Sequence, residues 1–174
     1  IAGKSETMVC ESCEFVDTFL QLSPDVTVLL NIDNDHLDYF KTMDNLILSF
    51  HKFVSMGKLC YVNGDDRLAM KAVNGIEGKV VSFGFSDNNC YSAKNIASGK
   101  YGFSFDAYKN GEKLERIELH IPGRHNVLNA LSAFAVAYDM GVETAGIKTA
   151  LEKFTGAGRR FEFLGEYGGF VLAD

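Results

Sequence analysis

The chain has 174 residues, 47% hydrophobic and 12% aromatic, which is enough for one domain with a substantial core and little more. A formal net charge of −6 argues against a surface that coats nucleic acid, which needs a surplus of Lys and Arg, but leaves nucleotide binding open. No apolar run is long enough to span a bilayer and no basic segment leads into an apolar one, so neither a membrane helix nor a secretory leader is expected.

Taken in chain order, Thr7–Cys10 and Val26–Ile32 read as buried strands, the second a continuous β-branched and Leu run of the parallel-sheet kind. Met43–Val54 places Leu46, Ile47, Phe50 and Phe53/Val54 at helical spacing and predicts a helix packed on a sheet. Leu59–Val62 is a further strand, and Asn63-Gly64-Asp65-Asp66 after it is a turn and helix-cap signal. Strand alternating with helix predicts a parallel α/β sheet. The rhythm then changes. Val80–Phe85, Tyr91–Ile96, Tyr101–Tyr108 and Leu114–Ile121 are strand-like, with Asn110-Gly111 a hairpin turn, and predict a small antiparallel sheet added to the α/β part. Helices are expected over Val127–Met140, stopped by Gly141, and over Val142–Phe154. Thr155–Gly158 is a glycine-rich linker, after which a new unit begins.

Four segments carry chemistry. Asn31-Ile32-Asp33-Asn34-Asp35-His36-Leu37-Asp38 follows a predicted parallel strand, where ligands gather in α/β sheets. Its carboxylates and imidazole suit Mg²⁺ or Mn²⁺, and equally an acidic helix cap with His36 merely hydrogen-bonded. Glu11 ends the Thr7–Cys10 run as a strand-end magnesium ligand does, a pattern any strand can share. Asn126 and Asn129, three apart at a helix start, share a face and offer donors and acceptors to a purine edge, or simply cap the helix. Arg159 and Arg160 after the linker fit a phosphate clamp or a solvated pair. Two look-alikes fail. Gly3-Lys4-Ser5 has neither the glycine turn nor the following helix of a phosphate loop, and Cys10-x-x-Cys13 has no second pair to complete a zinc site. With Cys60 and Cys90, these cysteines read as free thiols of a reducing cytosol.

Together the segments resemble the Mur ligases, ATP-dependent amide-forming enzymes of peptidoglycan synthesis. Cys10-Glu11-Ser12-Cys13-Glu14-Phe15 is similar to the family's E-A-[DC]-E stretch, and Asn31–Asp38 to its N-I-x-x-D-H-x-D. Asn63–Asp66 is similar to N-x-D-D, Gly123–Ala130 to G-x-H-N-x-x-N-A, and Gly158–Glu162 to G-R-R-F leading into a third domain. The resemblance implies an α/β fold: part of a P-loop-type parallel sheet with flanking helices plus a small antiparallel sheet, cut at both ends. It implies an ATP-binding central domain over 1–157 and a linker with the start of a ligand-binding domain over 158–174. Glu11 would hold the Mg²⁺ that bridges the ATP phosphates, and His36 a second ion near an acyl phosphate. His125, Asn126 and Asn129 would face adenine, and Arg159 or Arg160 would contact the nucleotide on domain closure. The motif variants look like the branch that joins L-alanine to UDP-N-acetylmuramate in the cytoplasm, with no nucleic acid or membrane partner implied. Murein peptide ligase and a non-catalytic nucleotide- or metal-binding module are the alternatives. The family's phosphate loop would lie upstream of Ile1, so this segment by itself is expected not to turn over.

Overall fold

The computed structural model describes residues 5–99, 102–157 and 163–173. Strands β1 (Val26–Leu29), β2 (Leu59–Asn63) and β3 (Val80–Gly84) are parallel, β4 (Tyr91–Ser98) is parallel to β3, and β5 (Phe103–Lys109) and β6 (Glu112–Leu119) complete the sheet antiparallel. Strand β3, expected within the antiparallel block, is thus parallel to both its neighbours, and the antiparallel strands extend the same sheet, in the order β1 to β6, and do not form a second one. Parallel neighbours usually need a long crossover. Here Phe83 pairs with Tyr91, so β4 starts where β3 stops, and the short stretch 85–90 suffices to join them. Asn110 and Gly111, both left-handed (φ 48° and 85°), make the tight β5–β6 turn the sequence predicts.

Helices cover both faces. The short α1 (Leu37–Phe40), α2 (Met43–Met56) and α3 (Arg67–Ala72) bury Phe19, Leu29, Ile32, Leu46, Phe53, Val54, Cys60 and Val62 on one side. On the other, α4 (His125–Asp139) and α5 (Thr144–Lys153) bury Tyr61, Phe83, Tyr91, Phe105, Ile117, Leu131 and Phe134. Alternation along β2 explains both: Cys60 and Val62 point one way and Tyr61 the other, and all three are at most 1% exposed. The caps follow the sequence. Thr42 accepts from the Asn45 amide (3.2 Å) and Asp66 from the Ala69 amide (2.7 Å), and Gly141 follows α4 with φ 85°. A separate hairpin, β7 (Phe163–Tyr167) and β8 (Phe170–Ala173), follows the linker.

One expected strand is absent. Thr7–Cys10 is irregular and exposed, with Met8 85% and Val9 91% accessible. Apolarity makes a segment a strand only when a neighbour supplies the ladder, and no described strand pairs with it. The four cysteines are free, as expected, and among the described residues no helix is long and apolar enough to cross a membrane.

Candidate functional site

Three loops leave the carboxyl ends of β1, β2 and β3 at one edge of the sheet, where ligands of α/β proteins gather. After β1, buried Ile32 anchors the acidic loop. Asp33 accepts from the Asn34 amide (2.7 Å) and Asp35 from the His36 amide (2.8 Å), turns that bring His36 into a left-handed conformation (φ 56°) at the start of α1. The imidazole stands between two carboxylates. Nε2 is 3.6 Å from Glu14 Oε1 and Nδ1 is 3.6 Å from Asp35 Oδ1, with the Phe15 ring 4.8 Å away, tilted by 51°.

Glu14, Asp35 and His36 place one ligand atom each within 4.8 Å of one another, the only such group among the described residues. Ligands at about 2.0–2.6 Å from a Mg²⁺, Mn²⁺ or Ca²⁺ ion lie a few ångströms apart, so the residues fit a hard cation with small movements. The carboxylates suit Mg²⁺, and the imidazole widens the choice to Mn²⁺. Glu11 is not in this group; it is exposed on the irregular segment before Glu14, not at the end of a strand.

The segment that carries Glu14 is anchored by a residue that spacing did not single out, Asp17, whose backbone amide donates to Glu14 O (2.9 Å). The 3₁₀ segment Phe15–Gln21 begins with Val16 and Asp17 in the left-handed region (φ 56° and 57°), unusual for a β-branched residue and a mark of local strain. Asp17 then accepts hydrogen bonds from the hydroxyls of Ser49 on α2 and Tyr39 on α1 (2.9 Å for Tyr39). The hydrogen bond to Asp17 raises the Tyr39 pKa. These partners lie 32 and 22 residues away, so only the acidic character of the stretch hinted at Asp17.

At the start of α4, the Asn126 side-chain amide donates to Pro122 O (2.7 Å) and that of Asn129 donates to Asn126 Oδ1 (3.0 Å). The two asparagines share a face as their spacing predicted, and Asn129 and the neighbouring His125 are exposed. Arg124 lies over the Phe85 ring, 4.6 Å from its centroid, which brings the start of α4 to the carboxyl end of β3. After β2, Asp65 reaches across to the loop that follows β3, accepting from the Phe85 and Ser86 amides and from Asn89. Partial burial raises its pKa, but these hydrogen bonds outweigh that and hold it below the ordinary carboxylate value. Arg159 and Arg160 lie outside the described residues.

The far end of α4 carries a second polar cluster. Asp139 accepts from Tyr61 (2.7 Å), Tyr91 (2.6 Å) and Lys109 (2.6 Å), and the Lys109 ammonium also lies over the rings of Tyr91 and Tyr138.

Residues 2–137 match the model of the Mur ligase middle domain. The UDP-N-acetylmuramate–L-alanine ligase of Caldicellulosiruptor bescii is 42% identical over 178 aligned residues, covering 100% of this chain and 39% of that protein. That of Clostridium acetobutylicum is 43% identical, with the same coverage of 100% and 39%. The chain thus spans about two-fifths of the length of the curated relatives it matches. Among solved structures, the Thermotoga maritima UDP-N-acetylmuramate–alanine ligase superimposes with a TM-score of 0.75 at 27% identity, over 87% of this chain and 34% of that one. The UDP-N-acetylmuramate:L-alanyl-γ-D-glutamyl-meso-diaminopimelate ligase of Neisseria meningitides gives 0.70, also at 27% identity, over 82% and 44%. The parallel sheet, its loaded carboxyl edge and these matches agree: the chain belongs to the Mur ligase family, of which it carries the middle domain.

Proposed function

We propose that this chain is the ATP-binding part of a cytoplasmic ligase that joins L-alanine to UDP-N-acetylmuramate for peptidoglycan synthesis. Residues 1–157 form the central domain, and 158–174 lead into the domain that receives the amino acid. The observation that carries this reading is the identity of about 40% along the whole chain to ligases with that name. The His36 loop at the carboxyl edge supports it chemically.

ATP phosphorylates the substrate carboxylate, the alanine amine attacks the acyl phosphate, and phosphate leaves the tetrahedral intermediate. A bound Mg²⁺ or Mn²⁺ would neutralise charge on the transferring phosphoryl group. Glu11 is proposed as the ligand on the ATP-phosphate side. His36, with Glu14 and Asp35 beside it, is proposed to hold a second ion near the acyl phosphate. His125, Asn126 and Asn129 hold the adenine, the paired amides leaving N–H groups and an oxygen for a purine edge. Arg159 and Arg160 contact the nucleotide on closure.

The test is phosphate release by the full-length protein. It should require ATP, L-alanine and UDP-N-acetylmuramate together. Turnover with a tripeptide in place of L-alanine would make the protein a murein peptide ligase, and nucleotide binding without turnover would make it a non-catalytic module.

A further inference from the structure

The reaction as derived leaves the Asp65 contacts unexplained. One carboxylate closes the loop after β3: Oδ2 accepts from the Phe85 and Ser86 amides (3.2 Å for Ser86), and Oδ1 accepts from Asn89 Nδ2 (3.0 Å). The loop is also tied at its base, where the Asn89 amide and side chain both donate to Ser86 O (3.2 and 3.1 Å). Two glycines make room. A Cβ at position 64 would stand 2.0 Å from Asn89 Oδ1, and one at 84 would stand 2.4 Å from Asn89 Nδ2 and 2.5 Å from Asp65 Oδ2. A carboxylate with three donors and two glycines around it is built to fix a loop, more than a cap or turn requires.

What the loop fixes is Phe85. Its ring packs partly against the core and carries the Arg124 guanidinium at 4.6 Å. Arg124 is exposed, and its guanidinium has no hydrogen-bonded protein acceptor among the described residues. It directly precedes His125 and Asn126. A guanidinium resting on an aromatic ring keeps its planar surface and donors available and loses less freedom when a ligand arrives.

We propose that Asp65 is a positioning residue for the nucleotide base: it fixes Phe85, Phe85 carries Arg124, and the Phe85–Arg124 pair is a wall on which a purine stacks beside the Asn126 and Asn129 amides. This deepens, and rests on, the reading of His125, Asn126 and Asn129 as the adenine site. Stacking on aromatic and guanidinium surfaces gives roughly ten- to a hundredfold in affinity per base.

The experiment compares F85A, R124A and D65A with wild type in the full-length protein, reading the KM and the calorimetric Kd for ATP. Each variant should raise both about tenfold, while kcat and the KM for L-alanine stay within about twofold. F85Y, which keeps the ring, should restore wild-type affinity. Inorganic tripolyphosphate, which has no base, should inhibit all of these proteins equally. A loss of tripolyphosphate inhibition in the variants as large as their loss of ATP affinity would overturn the proposal and make Arg124 a phosphate contact; unchanged ATP affinity in F85A and R124A would overturn it as well. If those two weaken ATP and D65A does not, the positioning role of Asp65 is wrong. Should D65A fail to fold, D65N, which keeps one accepting oxygen, is read on the same scale. N126A and N129A separate the underlying reading: if neither weakens ATP, the adenine site itself is misassigned; if both do and F85A and R124A do not, only this proposal falls.

Discussion

Helix α4 begins at residues 124–129 with polar groups bonded to one another and otherwise open to solvent, and it ends at Asp139, whose carboxylate takes two buried tyrosine hydroxyls and a lysine. The group around His36 is of the first kind: the Glu14 and Asp35 carboxylates stand 3.6 Å from the ring nitrogens, near but not hydrogen-bonded to them, and the His36 side chain is 31% exposed. The Asp139 cluster is of the second. Tyr61 and Tyr91 are 1% and 0% exposed, and each has its hydroxyl bonded. Unspent hydrogen-bonding capacity marks the edge proposed to bind a ligand, and spent capacity marks the part that holds sheet and helix together.

The sharpest way to break this contrast is to truncate one residue from each side. H36A in the full-length protein should lower ATP-dependent phosphate release by about 10²–10³, the usual cost of losing one electrostatic contact to a transition state, and leave the unfolding midpoint in urea unchanged. E14Q should give a smaller loss with weaker Mn²⁺ binding. D139A should do the reverse. Two buried hydroxyls lose their acceptor, at about 1–3 kcal/mol each before relaxation, so urea denaturation should show a loss of about 2–4 kcal/mol with turnover per folded molecule retained. A folded D139A protein without activity, or an H36A protein that unfolds easily, would end the division of labour.

How much of this was legible in the sequence follows the range of the interactions. Continuous apolar runs gave β1 and β2, helical spacing gave α2, and Asn110-Gly111 gave its turn, because each is decided within a few residues. Thr7–Cys10 misled, since a strand is a property of a pair. The union of β4–β6 with the parallel sheet was hidden because it depends on a stagger, Phe83 beside Tyr91, that no local pattern encodes. At the site, spacing correctly put Asn126 and Asn129 on one face, and the acidic stretches named the candidate carboxylates. Spacing could not say that Glu14 is the one beside His36, since that depends on Asp17 meeting Ser49 and Tyr39. The Asp139 cluster joins residues 78, 48 and 30 positions away and left no trace in the sequence.

The cluster should also show itself in pH dependence. Burial raises the Asp139 pKa, but hydrogen bonds from Lys109, Tyr91 and Tyr61 outweigh that and hold it below 3.8. Between the two values the unfolded chain binds more protons, so this stability is present above about pH 4 and is lost as pH falls through the depressed value. For Tyr61 and Tyr91, burial first and then the bond to Asp139 push the pKa well above 10.0. The folded state then keeps protons that the unfolded chain releases, so stability is full below about pH 10 and declines above it. Replacing both tyrosines with Phe should flatten the alkaline decline and leave an acid decline in place; an unchanged alkaline limb would mean the hydroxyls are not held as described.

The smallest effect expected is at Lys109. Its Nζ lies 2.6 Å from Asp139, but the side chain is 31% exposed, so water screens the pair. In K109M, Asp139 keeps both hydroxyl donors and is not stranded, and the added methyl can still lie against the rings of Tyr91 and Tyr138. The unfolding free energy from urea denaturation should therefore fall by no more than about 1 kcal/mol. Because Lys109 is the first of the groups that lower the Asp139 pKa, its removal should also shift the acid decline toward higher pH. A K109M loss as large as that of D139A would show that the ion pair, and not the two tyrosine hydroxyls, holds this end of α4 to the sheet.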